Sequence, residues 1–316
     1  MSKRTSNIAA IAGLAGVAAI IGFLLLNRGE GAPLLPSASA ASSATAEVSP
    51  TPEPTLNQAL LDERLTVLFI GTDSNEPRRN RNAPVNADTY LLASVSGGQS
   101  EVTLISIPRD TTDIPMPDGS TWERKLNAIW AEQGAEGMVA AVESLLQVPV
   151  DAYVEIDMGD FAAIVDAVGG VTVRPDEPLV DAHLDNFRID AGRQELEGIR
   201  AQHYVRTRVD TDYGRMARQQ EVLLELARRY TDPQTDVDVA QLLDGLASFQ
   251  TSLPMDDLPT LIEIVRRAQE ADVTRQVFSP PEFILFEGDR GDGRGYILEP
   301  DVEAMRAFAA RTIGDD

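Results

Sequence analysis

Three segments between residues 64 and 110 constrain the fold of this chain most. RLTVLFIGTD (64–73), DTYLLASVS (88–96) and VTLISIPRD (102–110) each hold a run of large apolar side chains bounded by polar residues. In the third, Val102, Leu104, Ile105 and Ile107 fill both alternating positions, which reads as a strand covered on both faces. Gly97 and Gly98 turn the second segment into the third, and strands joined so closely run antiparallel. The sheet is therefore expected to be mixed. Arg109 follows the third strand directly, in the place where open α/β sheets present residues to ligands.

Downstream, residues 125–147 read as one broken helix or two consecutive ones, with Val139, Val142, Leu145 and Leu146 at helical spacing. DAYVEID (151–157) is a further strand. Residues 158–168 form a helix stopped by Gly169 and Gly170, followed by a short strand. That helix is apolar over most of its surface, which suits a core position first and otherwise the wall of an apolar cavity. DTDYGRMARQQEVLLELARRY (210–230) is a helix of about four turns. Residues 232–316 hold two amphipathic helices, a strand near VTRQVFS, a Gly/Asp-rich loop at 287–295 and a last helix after Pro300. The expected class is α/β, a mixed central β-sheet with helices on both faces, formed by residues 61–316 as one domain.

Ile8 to Leu26 carries no charge and no strongly polar residue. At about 1.5 Å per residue it is long enough to cross roughly 30 Å of hydrocarbon. Lys3 and Arg4 precede it, which favours an N-terminus inside and the rest of the chain outside. Residues 1–27 thus read as a single-pass cell-membrane anchor, with the domain on the extracytoplasmic side. A cleaved signal peptide is the alternative, with SASA at 37–40 as its cleavage site, but that site lies well past the apolar run. Residues 28–60, rich in Ala, Ser and Pro, read as a disordered linker.

Cysteine is absent, so an exported domain of this kind depends on its apolar core, and its two histidines, His183 and His203, do not suggest a zinc centre. The net charge is −23, and all of it belongs to the part after residue 60. Such a body repels nucleic acid except where its cations gather. They gather at Arg206, Arg208, Arg215 and Arg218, the last two expected in the first turn of a helix. A helix N-terminus disfavours cations by about 0.3–1 kcal/mol each, so arginine there suits a docked anion, with Arg215 and Gln219 on one face. The competing arrangement is a surface patch bridged to Asp210 and Asp212. Lys125 is the only lysine after residue 60, which favours a specific role. Asp73 ends one strand and Asp88 begins its neighbour, so both fall on one sheet edge, where a hard cation such as Mg²⁺ takes carboxylates together with phosphate oxygens.

FIGTDS, NADTYLLASV, VTLISIPRDT, KLNAIW, VDAYVEIDMGDFAAIVDAVGGVTV and YVRTRVDTDYGRMARQQ, in this order between about residues 66 and 230, resemble the LytR-CpsA-Psr family. The resemblance implies a membrane-anchored phosphotransferase that moves a glycopolymer from a polyprenyl-pyrophosphate carrier to a cell-wall acceptor such as peptidoglycan, with magnesium. It implies that Arg109, Arg206, Arg208, Arg215 and Gln219 hold the pyrophosphate, with Lys125 added here from its position. It makes Asp73 and Asp88 the metal pair; Arg109 and Asp88 are read as catalytic, with Asp88 or Asp73 assisting acceptor deprotonation. It also implies an apolar tunnel for the lipid tail, lined in part by helix 158–168. Asn75 and Asn86 stand where members of that family often carry arginine, with Arg78, Arg79 and Arg81 in the loop between. The alternatives are a pyrophosphatase that passes the same phosphorus to water, and a non-catalytic protein that binds lipid carrier or glycopolymer.

A retained anchor predicts that protein extracted from membranes keeps its own N-terminus. N-terminal sequencing that begins near Ala41 instead would show cleavage.

Overall fold

The computed structural model describes residues 55–73, 86–246 and 249–314. The apolar run at 8–26, nearly all of the linker, and Asn75, Arg78, Arg79 and Arg81 lie outside the described residues. A short helix α1 (Gln58–Asp62) leads into β1 (Leu65–Asp73), β2 (Asn86–Val95) and β3 (Glu101–Ser106). A small hairpin, β4 (Ile114–Pro115) and β5 (Thr121–Trp122), precedes α2 (Leu126–Leu146), β6 (Ala152–Asp157) and α3 (Met158–Asp166). Four three-residue strands follow, β7 (Val171–Val173), β8 (Leu179–Asp181), β9 (Phe187–Ile189) and β10 (Gln194–Leu196). Then come α4 (Gly198–Arg206), α5 (Asp212–Thr231), α6 (Val239–Gly245), β11 (Gln250–Thr251), α7 (Leu258–Arg267) and β12 (Asp272–Val277). A hairpin of β13 (Ile284–Asp289) and β14 (Tyr296–Pro300), then α8 (Val302–Thr312), complete the described chain.

The central sheet has the order β11-β6-β1-β2-β3-β12. β1 runs parallel to β6, and β3 parallel to β12, while β2 is antiparallel to both of its neighbours. The sheet is mixed, as the short Gly97–Gly98 turn requires. The carboxyl ends of β1, β3, β6 and β12 and the start of β2 therefore share one edge, the edge where α/β sheets bind ligands.

Alternation along β1 separates two cores. Val67 and Phe69 face one side with Leu91, Leu104 and Val154, against Leu224 and Ala227 of α5 and Leu261 and Ile264 of α7. Leu68 and Ile70 face the other side with Leu92 and Ile105, against Val142 and Leu145 of α2 and Met305 and Ala309 of α8. Helices thus cover both faces. Gly134, at φ 69°, breaks α2 as one interrupted helix.

Three expectations need revision. The folded part begins before residue 61, because Leu61 of α1 is buried in the core and Asn57 donates its N–H to the Thr260 hydroxyl and its Nδ2 to the Asp257 carboxylate. The Gly/Asp-rich stretch at 287–295 is not simply a loop, since its flanks pair as β13 and β14 across a short connection. α5 starts at Asp212, so Arg215 closes its first turn and Arg218 sits in the second, not both in the first.

α3 is gripped from two sides. A Cβ at Gly198 would lie 2.2 Å from the Ala162 carbonyl oxygen, and one at Gly245 would lie 2.6 Å from Ile164 Cγ1. Backbone cannot move aside as a flexible side-chain tip does. Gly198→Ala is therefore expected to cost roughly 1–3 kcal/mol, read as a lower urea midpoint with an unchanged slope; an unchanged midpoint would place the α3–α4 contact elsewhere.

Candidate active site

Asp88 owes its position to a bulge. Gly71 pairs with Thr89 and Thr72 with Ala87, so Asp88 is an extra residue in β2 with no opposite number on β1. A bulge of this kind re-aims a side chain at a sheet rim. Tyr90, buried, donates its hydroxyl to the Ala87 carbonyl at 2.9 Å and ties the bulge down. Asp88 accepts a hydrogen bond from Arg109 Nη1 at 2.6 Å. The Arg109 loop is fixed at three successive carbonyls: Asn127 N–H donates to Arg109, Leu298 N–H to Asp110 and Leu126 N–H to Thr111. Burial opposes the charge on Arg109, but Asp88 and then Asp110 and Asp212 outweigh it and raise its pKa.

The second group of arginines comes from the link between α4 and α5. Arg206 Nη2 lies 3.3 Å from Asp73, and Arg208 Nε 2.9 Å from Asp212. Arg215, buried, donates to both oxygens of Asp212 and to the Asp88 carbonyl. The start of α5 is closed rather than open to an anion. Thr211 caps the Gly214 N–H at 2.9 Å, and Asp212 places a carboxylate in the first turn, where it also offsets the helix dipole. Burial opposes the charge on Asp212, but Arg215 and Arg208 hold its carboxyl below the usual range. Arg208 is shifted down, by burial and then by Arg215 and Arg109. Cations are crowded here.

Arg218 belongs to the framework and not to this cluster. It is buried, pairs with both oxygens of Asp210, and donates to the Tyr204 and Thr207 carbonyls.

Asp73, Asp88, Arg109, Arg206, Arg208, Arg215 and Gln219 all line one polar cleft. An apolar cavity adjoins it, between the sheet and the helices α3 and α5, lined by Phe69, Leu91, Ile156, Met158, Phe161, Ile164, Val222 and Leu226 among others. Gly71, Thr89, Met158, Val205 and Gln219 line both, so they form the neck between them. A Cβ at Gly71 would meet Thr89 Cβ at 2.9 Å, so β1 and β2 approach here as only glycine allows. The apolar face of α3 walls a cavity on this side while it also packs in the core. Gln219 gives its Nε2 to the Val205 carbonyl at 3.1 Å, and its buried Oε1 has no protein partner.

Lys125 does not line the cleft. Its Nζ is 2.8 Å from Asp110, which lies 3.4 Å from Arg109 Nε, so it reaches the arginines only through that acid. Asp212 and Asp210 pair with these arginines as the competing arrangement expects, whereas Asp110 had no role assigned from the sequence. Tyr90 was equally hidden, for its role depends on the bulge.

Burial separates the roles of two nearby arginines. Arg218→Ala removes buried charge-assisted bonds and should cost roughly 2–4 kcal/mol of stability. Arg206→Ala, which breaks a half-exposed pair, should change it by less than about 1 kcal/mol. Chemical unfolding of both variants checks this, and equal losses would overturn the division.

Comparison with known proteins places this geometry. The LytR_cpsA_psr family model matches residues 35–293. A polyisoprenyl-teichoic acid–peptidoglycan teichoic acid transferase, TagU, of Enterococcus faecalis is 30% identical over 62% of this chain and 64% of its own length. The cell wall biosynthesis protein LcpA of Corynebacterium glutamicum is 28% identical over 81% of this chain and 52% of its own length. The chain spans about half the length of the curated relatives it matches. The structure of TagT bound to LIIa-WTA shares the fold, with a TM-score of 0.62 at 20% identity over 87% of this chain and 100% of that one. With its motifs in order on this sheet edge and the family model spanning most of its length, the chain belongs to the LytR-CpsA-Psr family.

Proposed function

We propose that this chain is a membrane-anchored phosphotransferase that moves a glycopolymer from a polyprenyl-pyrophosphate carrier onto a cell-wall acceptor such as peptidoglycan. One observation carries the reading: the apolar cavity and the arginine-lined cleft meet at a shared neck. A ligand with a long apolar tail and a doubly charged head fits that junction. The names of the E. faecalis and C. glutamicum relatives support the same reading.

Carboxylates occupy the arginine forks. Arg109, Arg206, Arg208 and Arg215 would trade part of that pairing for pyrophosphate oxygens, whose geometry suits planar, paired donors. Gln219 at the neck marks where head becomes tail. The acceptor hydroxyl oxygen then forms a bond to the phosphorus that carries the sugar, and the bond from that phosphorus to the bridging oxygen breaks. Polyprenyl phosphate leaves with the electron pair, and the acceptor proton passes to Asp88. Catalysis of this kind is mainly positioning and charge neutralisation, so fixed arginines are suitable equipment.

Asp73 and Asp88 fit a magnesium ion. Both line the cleft, and although no group of three or more metal-ligating side chains occurs among the described residues, magnesium commonly takes only one or two carboxylates beside phosphate oxygens and water. When bound, the ion would supply charge neutralisation and polarise a phosphoryl oxygen. Among the described residues no helix is long and apolar enough to cross a membrane, so the proposed anchor rests on residues 8–26.

Labelled lipid-pyrophosphate oligosaccharide incubated with the protein and an acceptor glycan tests the whole reading. Label on the glycan is expected; label released into water indicates a pyrophosphatase, and intact bound ligand a carrier protein. Arg109→Ala should lower kcat/KM about 10- to 100-fold, the loss of one or more charge-assisted bonds. Unchanged kcat/KM would remove Arg109 from the site.

A further inference from the structure

α5 carries its lining residues in a single stripe. Leu226 and Val222 face the apolar cavity, Gln219 the neck and Arg215 the polar cleft, at steps of three or four residues. From Leu226 to Arg215 the stripe advances about 16 Å. One step further toward the N-terminus the stripe reaches Asp212, and Tyr213 follows it in the first turn of α5, about 100° around the helix.

Tyr213 is joined there by the β13–β14 hairpin. Its hydroxyl donates to Glu287 Oε2 at 3.2 Å, and the Tyr296 hydroxyl donates to Glu287 Oε1. Tyr296 is 49% exposed, and Glu287 is exposed as well. The hairpin is not a loose flap. Leu298 N–H donates to the Asp110 carbonyl at 3.0 Å, Thr112 N–H donates to the Leu298 carbonyl at 2.9 Å, and Arg294 pairs with Asp113. The two phenols and the carboxylate are thus braced against the same loop that holds Arg109.

We infer that Tyr213, Glu287 and Tyr296 form a subsite for a sugar chain, the acceptor glycan of the reaction proposed above. This rests on that reading for its biological role, but the recognition chemistry is local. Phenol rings offer flat apolar faces with a polar handle, matched to the C–H face of a pyranose. Each Glu287 oxygen has accepting capacity left beyond its tyrosine, enough to take sugar hydroxyls. Among the described residues no arginine or lysine forms an ion pair with Glu287, so its carboxylate repels an anion and a neutral polyhydroxylated ligand fits better. Tyr213 follows Asp212, the acid that holds Arg208 and Arg215, so the trio sits beside the polar end of that stripe. Tyr296 keeps its proton through neutral pH, since burial and then Glu287 push it up to about 12.

Binding of a fluorescent, soluble peptidoglycan glycan strand to the full-length protein in detergent tests the subsite directly. Tyr296→Ala and Glu287→Gln should each weaken it roughly tenfold. Affinity for polyprenyl pyrophosphate, measured on the same samples, should stay within twofold of the wild type (roughly the scatter of a binding constant). No binding by the wild type, or equal binding by both variants, would overturn the inference. Where the wild type transfers label to glycan, the acceptor KM should rise in both variants and hydrolysis without acceptor should not change. Absence of transfer by a wild type that binds the strand would count against the phosphotransferase reading and leave the subsite standing.

Discussion

The site depends on one buried cation that never faces the ligand. Arg218 gathers the Tyr204 and Thr207 carbonyls and the Asp210 carboxylate, and so sets the turn between α4 and α5. The end of a helix leaves carbonyls without intrahelical partners, and a guanidinium with five donors in a plane can satisfy several at once. Because that turn is fixed, Arg206 and Arg208 leave the end of α4 toward the same cleft that Arg215 enters from α5. A flexible link of the same length would have to order these side chains on ligand binding and would lose affinity to entropy.

The acids around the cleft hold its arginines together. Four arginines close together repel one another, and the lowered pKa of Arg208 reports that crowding together with its burial. Asp212 relieves it from within α5, Asp88 from the bulge, Asp73 from the end of β1 and Asp110 from behind. These acids cannot all leave when a ligand arrives. Asp212 holds two arginines at once and sits in the first turn of a helix, where its charge is favoured, so it remains. Asp73, at the end of β1, and Asp88, at the bulge of β2, are the acids that the proposed magnesium ion would draw on.

Much of the layered fold could be read from the chain. Strands of six to ten residues with apolar side chains in both phases announced a sheet covered on two sides, and Val67 and Leu68 do face opposite cores. The arginines that reach the cleft lie in motifs that were read as anion-binding. What stayed hidden depends on partners distant in sequence. Three-residue strands such as β8 and β10 have no periodicity to detect, whereas β7 was marked by the glycines before it. The bulge at Asp88 exists only relative to its pairing with β1. Arg215 and Arg218 are three residues apart in the same helix, and only the carbonyls that α4 brings near separate a ligand-facing cation from a framework one. Lys125, singled out by its rarity, proved to be a neighbour of Asp110.

The same contrast explains why removing a cation from the start of α5 would not stabilise it. A lone arginine near a helix N-terminus opposes the dipole by a fraction of a kcal/mol. Arg215 is not alone, for it is buried, bidentate on Asp212 and bonded to the Asp88 carbonyl. Charge-assisted bonds of that kind contribute about 1.5–3 kcal/mol each, several times the dipole term. Pairing therefore wins over the dipole, and Arg215 both holds the bulge of β2 against α5 and presents its edge to the cleft. Position and stability are coupled in this residue, whereas Arg206, less enclosed and paired once, can yield its partner at little cost.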